Sequence, residues 1–240
     1  MEICFSLSAF LKKNILSVSR LLKFREFLRA PGLAKVRMVR ACVVCEELVF
    51  LELPLCRGCR RCLYLEFVKH LEQVIFLNIR HRKVPVFYLW SWGEENGFVI
   101  QKVIVALKDG GNPKLYGLFA KWMNIKLRHF NVFPRHNVFA VPSLDRSHGL
   151  QMGKSFSKEL GLRFFDILFK IGSSTQKNRG KQERQEIRMG ICKDKIEDLD
   201  LDHTGLLVDD VMVTGGSLKA CIEALDPAHI QYIAVWAEKQ

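Results

Sequence analysis

The chain has 240 residues, 49% hydrophobic and 26% charged, with 37 Lys/Arg against 25 Asp/Glu for a formal net charge of +12. This is a globular and not a disordered composition, long enough to bury one main domain plus a small module. No apolar run approaches the ~18–20 residues of a membrane span, and Glu2, Lys12 and Lys13 break the layout of a secretory signal, so the expected location is cytoplasmic.

The charge is uneven. Residues 1–40 carry nine Lys/Arg against two Glu, and the remainder is too near neutral to argue for a nucleic-acid surface on charge alone. Phe10, Leu11, Ile15, Val18, Leu21, Leu22, Phe24, Phe27 and Leu28 lie among these basic residues until Pro31-Gly32 breaks the pattern. Two readings stay open for this basic amphipathic leader. It lies on a membrane or nucleic acid, or it is an extension upstream of a true start at Met38.

Cys42-Val43-Val44-Cys45 follows, then ten residues, then Cys56-Arg57-Gly58-Cys59. Two C-x-x-C knuckles let four thiolates converge on one tetrahedral Zn2+, so a zinc ribbon is expected over residues 41–64. Short strands at Val43-Val44 and Leu48 to Leu53 would carry it, with the metal stabilising a module this small. A disulfide framework fits a cytoplasmic chain poorly, and a redox pair needs only one C-x-x-C. Cys62 is either a substitute ligand or a plain thiol, while Cys4, Cys192 and Cys221 have no ligand-like spacing.

Residues 65–240 read as one α/β domain. Leu63 to Ile79 is apolar and partly helical, Val84 to Trp90 is strand-like, and Gly93 to Gly97 is a turn. Phe98 to Leu107 predicts a helix ending at Lys108-Asp109-Gly110-Gly111. Lys108 there either neutralises a phosphate or complements the helix dipole. Asn112-Pro113, a cap followed by Pro at the first position, starts a helix with Leu115, Leu118, Phe119 and Trp122 on its buried face.

Val138 to Val141 is a buried strand whose following loop runs from Pro142 to Gly149. A helix from Gln151 to Leu160 stops at Gly161, and Phe164 to Phe169 makes another strand. Gly172 to Gly190 is polar and carries Lys177, Arg179, Lys181, Arg184 and Arg188. It is either a loop that closes over a polyphosphate or an exposed hinge of mixed charge.

The stretch from Gly205 to Leu225 reads as strand, turn and helix: Leu206, Leu207 and Val208, then Asp209 and Asp210 at the strand end, then Gly215-Gly216-Ser217. Leu218, Cys221, Ile222 and Leu225 form one helical face, with Ser217 as N-cap, Pro227 as terminator and a last strand from Ile230 to Trp236. Backbone N–H groups of Thr214 to Ser217 form a phosphate cup, and a carboxylate at Asp209 or Asp210 can accept bonds from hydroxyls of the same ligand. A ribose 5-phosphate fits both halves. The competing reading is an acid pair opening an ordinary strand-to-helix turn.

This order of residues resembles the motif with which type I phosphoribosyltransferases bind phosphoribosyl pyrophosphate (PRPP). The resemblance implies Asp209 and Asp210 on the ribose 2- and 3-hydroxyls and Val213, Thr214, Gly215, Gly216 and Ser217 around the 5-phosphate. Val213 stands where Thr is common, and Ser217 replaces a second Thr. With the cysteine knuckles ahead of it, the chain over residues 40–240 resembles the ComF family of bacterial competence proteins, described also as amidophosphoribosyltransferase-like. Family relatives show further cysteine pairs, an aromatic in the motif that is here Leu107-Lys108-Asp109-Gly110-Gly111, and Arg-Gly-Phe-Asn-Gln where this chain has His148-Gly149-Leu150-Gln151-Met152. Gln176 and Arg184 fit a Gln…Arg-x-x-Asn element whose Asn position holds Ile187.

The resemblance implies a type I phosphoribosyltransferase-like parallel sheet flanked by helices behind a zinc ribbon, with Mg2+ accompanying PRPP. Asp209 and Asp210 would be catalytic, and Arg146, Lys108 and Arg184 would contact PRPP, Arg146 at its pyrophosphate unless it is a solvated loop residue. Two functions follow from it. One is transfer of a phosphoribosyl group to an acceptor base that no residue set specifies. The other is a non-catalytic module that handles incoming single-stranded DNA with competence proteins during DNA uptake.

Overall fold

The computed structural model describes residues 40–49, 53–93, 97–110, 112–132, 137–143, 147–171, 188–192, 204–225 and 230–239. The chain forms two compact units, Met1–Cys59 and Arg60–Gln240.

In the first unit, β1 (Arg40–Ala41) pairs antiparallel with β2 (Leu48–Val49). The Cys42 N–H donates to the Glu47 carbonyl at 2.8 Å and the Glu46 N–H to the Cys42 carbonyl at 2.9 Å. Val43-Val44 is therefore turn and not strand, because the knuckle must curl for both of its cysteines to face one point. The strand precedes the first cysteine, and the second expected strand is described only over Leu48–Val49. The second knuckle opens a helix, α1 (Arg57–Lys69), and the Cys59 N–H donates to Cys56 Sγ at 3.3 Å. Sulfur takes the place of a capping oxygen here. The positive end of the helix macrodipole favours negative charge on that sulfur.

The second unit continues with β3 (Ile75–Ile79), β4 (Arg82–Trp92), α2 (Gly97–Gly110), α3 (Pro113–His129), β5 (Asn137–Ala140) and α4 (Ser147–Leu160). It then adds β6 (Arg163–Phe165), β7 (Leu168–Ile171), β8 (Arg188–Ile191), β9 (Gly205–Met212), α5 (Gly216–Leu225) and β10 (Ile230–Lys239). The main sheet has the order β3-β4-β10-β9-β5-β6. Only the edge strand β3 is antiparallel to its neighbour. The expected α/β architecture, a largely parallel sheet flanked by helices behind a four-cysteine module, is borne out.

Residues of the inner strands explain their placement. Val138, Phe139, Leu206, Leu207, Val208, Ile233, Ala234, Val235 and Trp236 are all buried, as parallel strands covered on both faces require. Helix α4 joins β5 to its neighbour β6, after which the chain crosses to β9 on the other side of β5, and α5 leads to β10. Right-handed crossovers then put α4 and α5 on opposite faces. Leu207, Ile233 and Val235 accordingly share a core with Leu218, Cys221, Ile222 and Leu225 of α5, while Trp236 meets Tyr116 of α3 and His148 of α4. Alternation along β9 assigns Asp209 to the α5 face and Asp210 to the α3/α4 face.

Asn112 caps α3 as expected, its side-chain oxygen accepting from the Lys114 N–H at 3.0 Å, and Leu115, Phe119 and Trp122 are buried. Four expectations need correction. Helix α4 begins at Ser147 and not Gln151, so His148 and Gly149 are helical. A Cβ at residue 149 would stand 2.7 Å from the Val141 carbonyl oxygen, so glycine lets the first turn press against the end of β5. The apolar run from Phe164 to Phe169 is two strands, β6 in the main sheet and β7 paired antiparallel with β8. Asp209 and Asp210 lie within β9, which runs on to Met212. Ser217 is not the N-cap, since α5 starts at Gly216 and Thr214 Oγ1 accepts from the Gly216 N–H at 3.4 Å.

Candidate functional site

The sheet reverses its winding between β5 and β9. In an open parallel sheet such a switch point leaves a crevice beyond the carboxyl ends of the two strands, because their loops depart to opposite faces. The Val141 N–H donates to the Val208 carbonyl at 3.0 Å, so the loop after β5 stays tied to β9. Val141 to Ser143 are described, whereas Arg146 lies outside the described residues, as do Gln176 and Arg184.

Beyond β9, Val213 and Thr214 are exposed and Gly215 has φ +72°, a conformation that L side chains rarely adopt. A Cβ there would also stand 2.6 Å from Leu77 Cδ1. Glycine is thus required twice over, by the backbone and by the packing. The Lys219 N–H donates to the Gly215 carbonyl at 2.9 Å, which fixes the first turn of α5 behind the loop. The first-turn N–H groups of that helix have no intrahelical acceptors, the usual basis of anion binding. Val213, Thr214, Gly215, Gly216 and Ser217 are therefore contiguous around one bend.

The two acids have different surroundings. Asp209 Oδ1 accepts from the Asp210 N–H at 2.9 Å, and Asp210 Oδ1 accepts from the Val211 N–H at 2.7 Å. Asp210 Oδ2 lies 2.6 Å from Lys108 Nζ and 3.2 Å from His148 Nε2. Burial alone would raise the Asp210 carboxyl, but His148 and the Lys108 charge outweigh it and hold the group below the usual carboxylate range. Burial, and next the Asp210 charge, push Asp209 well above that range. The two acids are thus pushed in opposite directions, Asp210 toward its carboxylate form and Asp209 toward its acid form.

Lys108 thus joins the acid that the sequence analysis singled out, a carboxylate contact where a phosphate contact was expected. His148 and Tyr116 were not expected at the site. The Tyr116 hydroxyl donates to the Leu107 carbonyl at 3.1 Å and lies 2.6 Å from His148 Nδ1. The contact with Tyr116 at Nδ1 holds the ring so that Nε2 faces Asp210. Trp236 stands edge-on to the His148 ring, with centroids 5.8 Å apart. Despite these contacts, His148 Nε2 and Asp210 Oδ2 make no aligned hydrogen bond among the described residues, and neither do the buried Trp236 Nε1 and Gln151 Oε1. The one available signal was Tyr116 at i−3 from Phe119 on a helix already expected to be buried.

A separate cleft of about 120 Å3 opens at the same end of the sheet, with Val141, Pro142, Gly149, Asp166, Phe169 and Cys192 among its lining residues. Neither acid of β9 reaches it.

In the first unit, the sulfurs of Cys42, Cys45, Cys56 and Cys59 all lie within 4.8 Å of one another, with 3.6 Å between those of Cys45 and Cys56. A tetrahedron with metal–sulfur bonds of ~2.3 Å has edges of about 3.8 Å, so the set could hold a metal such as zinc. The charge pattern agrees. The Cys59 thiol beside Cys42 pulls the latter down to about 4, burial pushes Cys56 up to about 11, and Cys42 and then burial drive Cys59 up.

No family model matches this chain, and no curated protein does. A solved structure described as that of the allosteric regulatory enzyme of purine biosynthesis is similar over 51% of this chain, at 16% identity and a TM-score of 0.32. The chain spans 24% of that enzyme's length.

Proposed function

We propose that the second unit binds PRPP in the crevice between β5 and β9, as a phosphoribosyltransferase-type domain. The observation that carries this reading is a pair of acids on β9, Asp209 and Asp210, six and five residues before the left-handed Gly215 of the bend, with the Asp210 carboxyl held by Lys108 and His148. Asp210 can accept from a ribose hydroxyl, Asp209 can donate to one, and the bend of Val213 to Ser217 can cradle the 5-phosphate. In transfer, pyrophosphate leaves the anomeric carbon as an acceptor nitrogen approaches. The Asp210 carboxylate, held by fixed groups, would stabilise the positive charge developing on the sugar. Mg2+ would arrive on the pyrophosphate and shield its charge. The four cysteines would hold a structural Zn2+.

Isothermal titration with PRPP and Mg2+ tests the reading. Heat is expected from the wild type and none from Asp209→Asn/Asp210→Asn. A wild-type chain that gives no heat, or a double variant that binds equally well, ends it.

A binding module without transfer is favoured by one feature, the Lys108 ammonium already seated on Asp210. Handling of single-stranded DNA with competence proteins belongs to this second reading and rests on the family resemblance. Product release from PRPP in the presence of candidate bases would exclude it. Among the described residues no helix is long and apolar enough to cross a membrane.

A further inference from the structure

Both oxygens of Asp210 have partners within the chain, and Oδ2 has two. Oδ1 takes the Val211 N–H, and Oδ2 faces Lys108 Nζ at 2.6 Å and His148 Nε2 at 3.2 Å without hydrogen-bond alignment to either. A carboxylate oxygen that divides its contacts between two neighbours in this way can exchange one of them for a ligand hydroxyl. The two groups on Asp210 also differ in kind. Lys108 is about half exposed on a flexible stem, so its contact is screened and easily exchanged. His148 is buried and is anchored at its other nitrogen by Tyr116, which is in turn anchored on Leu107.

We propose that Lys108 shuts the unliganded site by occupying Asp210, that a pyrophosphate group opens it by drawing the ammonium away, and that His148 then remains as the positioning residue that keeps Asp210 aimed at a ribose hydroxyl. This rests on the ribose-phosphate reading above. Its consequence is coupling: pyrophosphate should favour the sugar even though the two need not touch, because it removes the competitor for the carboxylate. No bond is made or broken; one ammonium exchanges a carboxylate for a phosphate oxygen.

The test uses the full chain with Mg2+, titrating ribose 5-phosphate with and without saturating pyrophosphate. In the wild type, pyrophosphate should tighten ribose 5-phosphate binding by about five-fold or more. In Lys108→Gln, ribose 5-phosphate alone should bind at least as well as to the wild type, with no further gain from pyrophosphate. His148→Ala should weaken ribose 5-phosphate while leaving the dissociation constant of pyrophosphate unchanged, and His148→Gln, which can still offer an N–H, should restore part of the loss. If the wild type binds both ligands without coupling, or Lys108→Gln keeps the coupling, the latch is wrong while the binding reading stands. Equal losses for both ligands in His148→Ala would reduce that residue to a structural part. A wild type that binds neither ligand overturns both proposals.

Discussion

Lys126 offers a test of the domain's electrostatics that needs no ligand. It is a fully buried lysine on α3, its ammonium donating to the carbonyls of His70 at 2.6 Å and Tyr88 at 2.7 Å and lying 4.5 Å from the centre of the Tyr88 ring. β3 pairs with β4 only as far as Val86, so Tyr88 has no strand partner on the β3 side, and Lys126 supplies a donor there. The groups facing it are carbonyls, the Tyr88 ring and His70, with no carboxylate among its hydrogen-bond partners in the described residues. Burial therefore pulls the ammonium from 10.5 down to about 7. Between those two values the unfolded chain holds a proton that the folded chain has released, so stability must rise with pH across this window. The slope approaches ~1.4 kcal/mol per pH unit, or roughly 2–3 kcal/mol between pH 7.5 and 9.5 as an upper bound.

Urea unfolding of the wild type and of Lys126→Met at several pH values isolates this group, because other titrations cancel in the difference. Methionine removes the charge and two hydrogen bonds while keeping most of the volume. The wild-type advantage over Lys126→Met should therefore grow as pH rises from 7 to 10 and be smallest below 7. Parallel profiles for the two proteins would refute the reasoning and mean that water or a counter-charge reaches the ammonium.

Gly215→Ala combines a left-handed φ with a contact of 2.6 Å to Leu77. It should cost about 1–3 kcal/mol in thermal or urea unfolding and abolish PRPP binding, and Leu77→Ala in the same chain should recover the packing part only. Tyr116→Phe leaves His148 Nδ1 buried without its hydrogen-bond partner and should destabilise the second unit by about 1–3 kcal/mol; an unchanged unfolding midpoint would contradict a stabilising Tyr116–His148 bond. Metal analysis should find one zinc per chain, released by thiol-blocking reagents and lost in Cys42→Ser/Cys45→Ser, whereas zinc-free protein with an intact first unit would remove the metal from the account.

Much of this architecture is legible in local residue order. The apolar runs of β9 and β10 can only be covered strands, Asn112-Pro113 marks the start of α3 through chemistry confined to three residues, and two cysteine knuckles announce their own convergence. What stays hidden depends on partners distant in sequence. Ser147 to Leu150 carries a polar pair and a glycine and so reads as loop, yet that glycine is what lets the helix start against Val141. Between Phe164 and Phe169 the one polar residue, Asp166, stands where the chain changes sheet, and a single charge between apolar neighbours does not by itself separate two strands. His148 lies in a stretch that reads as loop, and nothing in local order marks it as a partner of Asp210. In the fold, Tyr116 and Trp236 enclose it and Lys108 reaches the same carboxylate, so Asp210 meets one buried and one half-exposed partner. Residues 108, 116, 148 and 236 come from three helices and a strand, and only the crossovers that put α3 and α4 on one face of β9 bring them to Asp210, so no window of sequence holds enough of the site to display it.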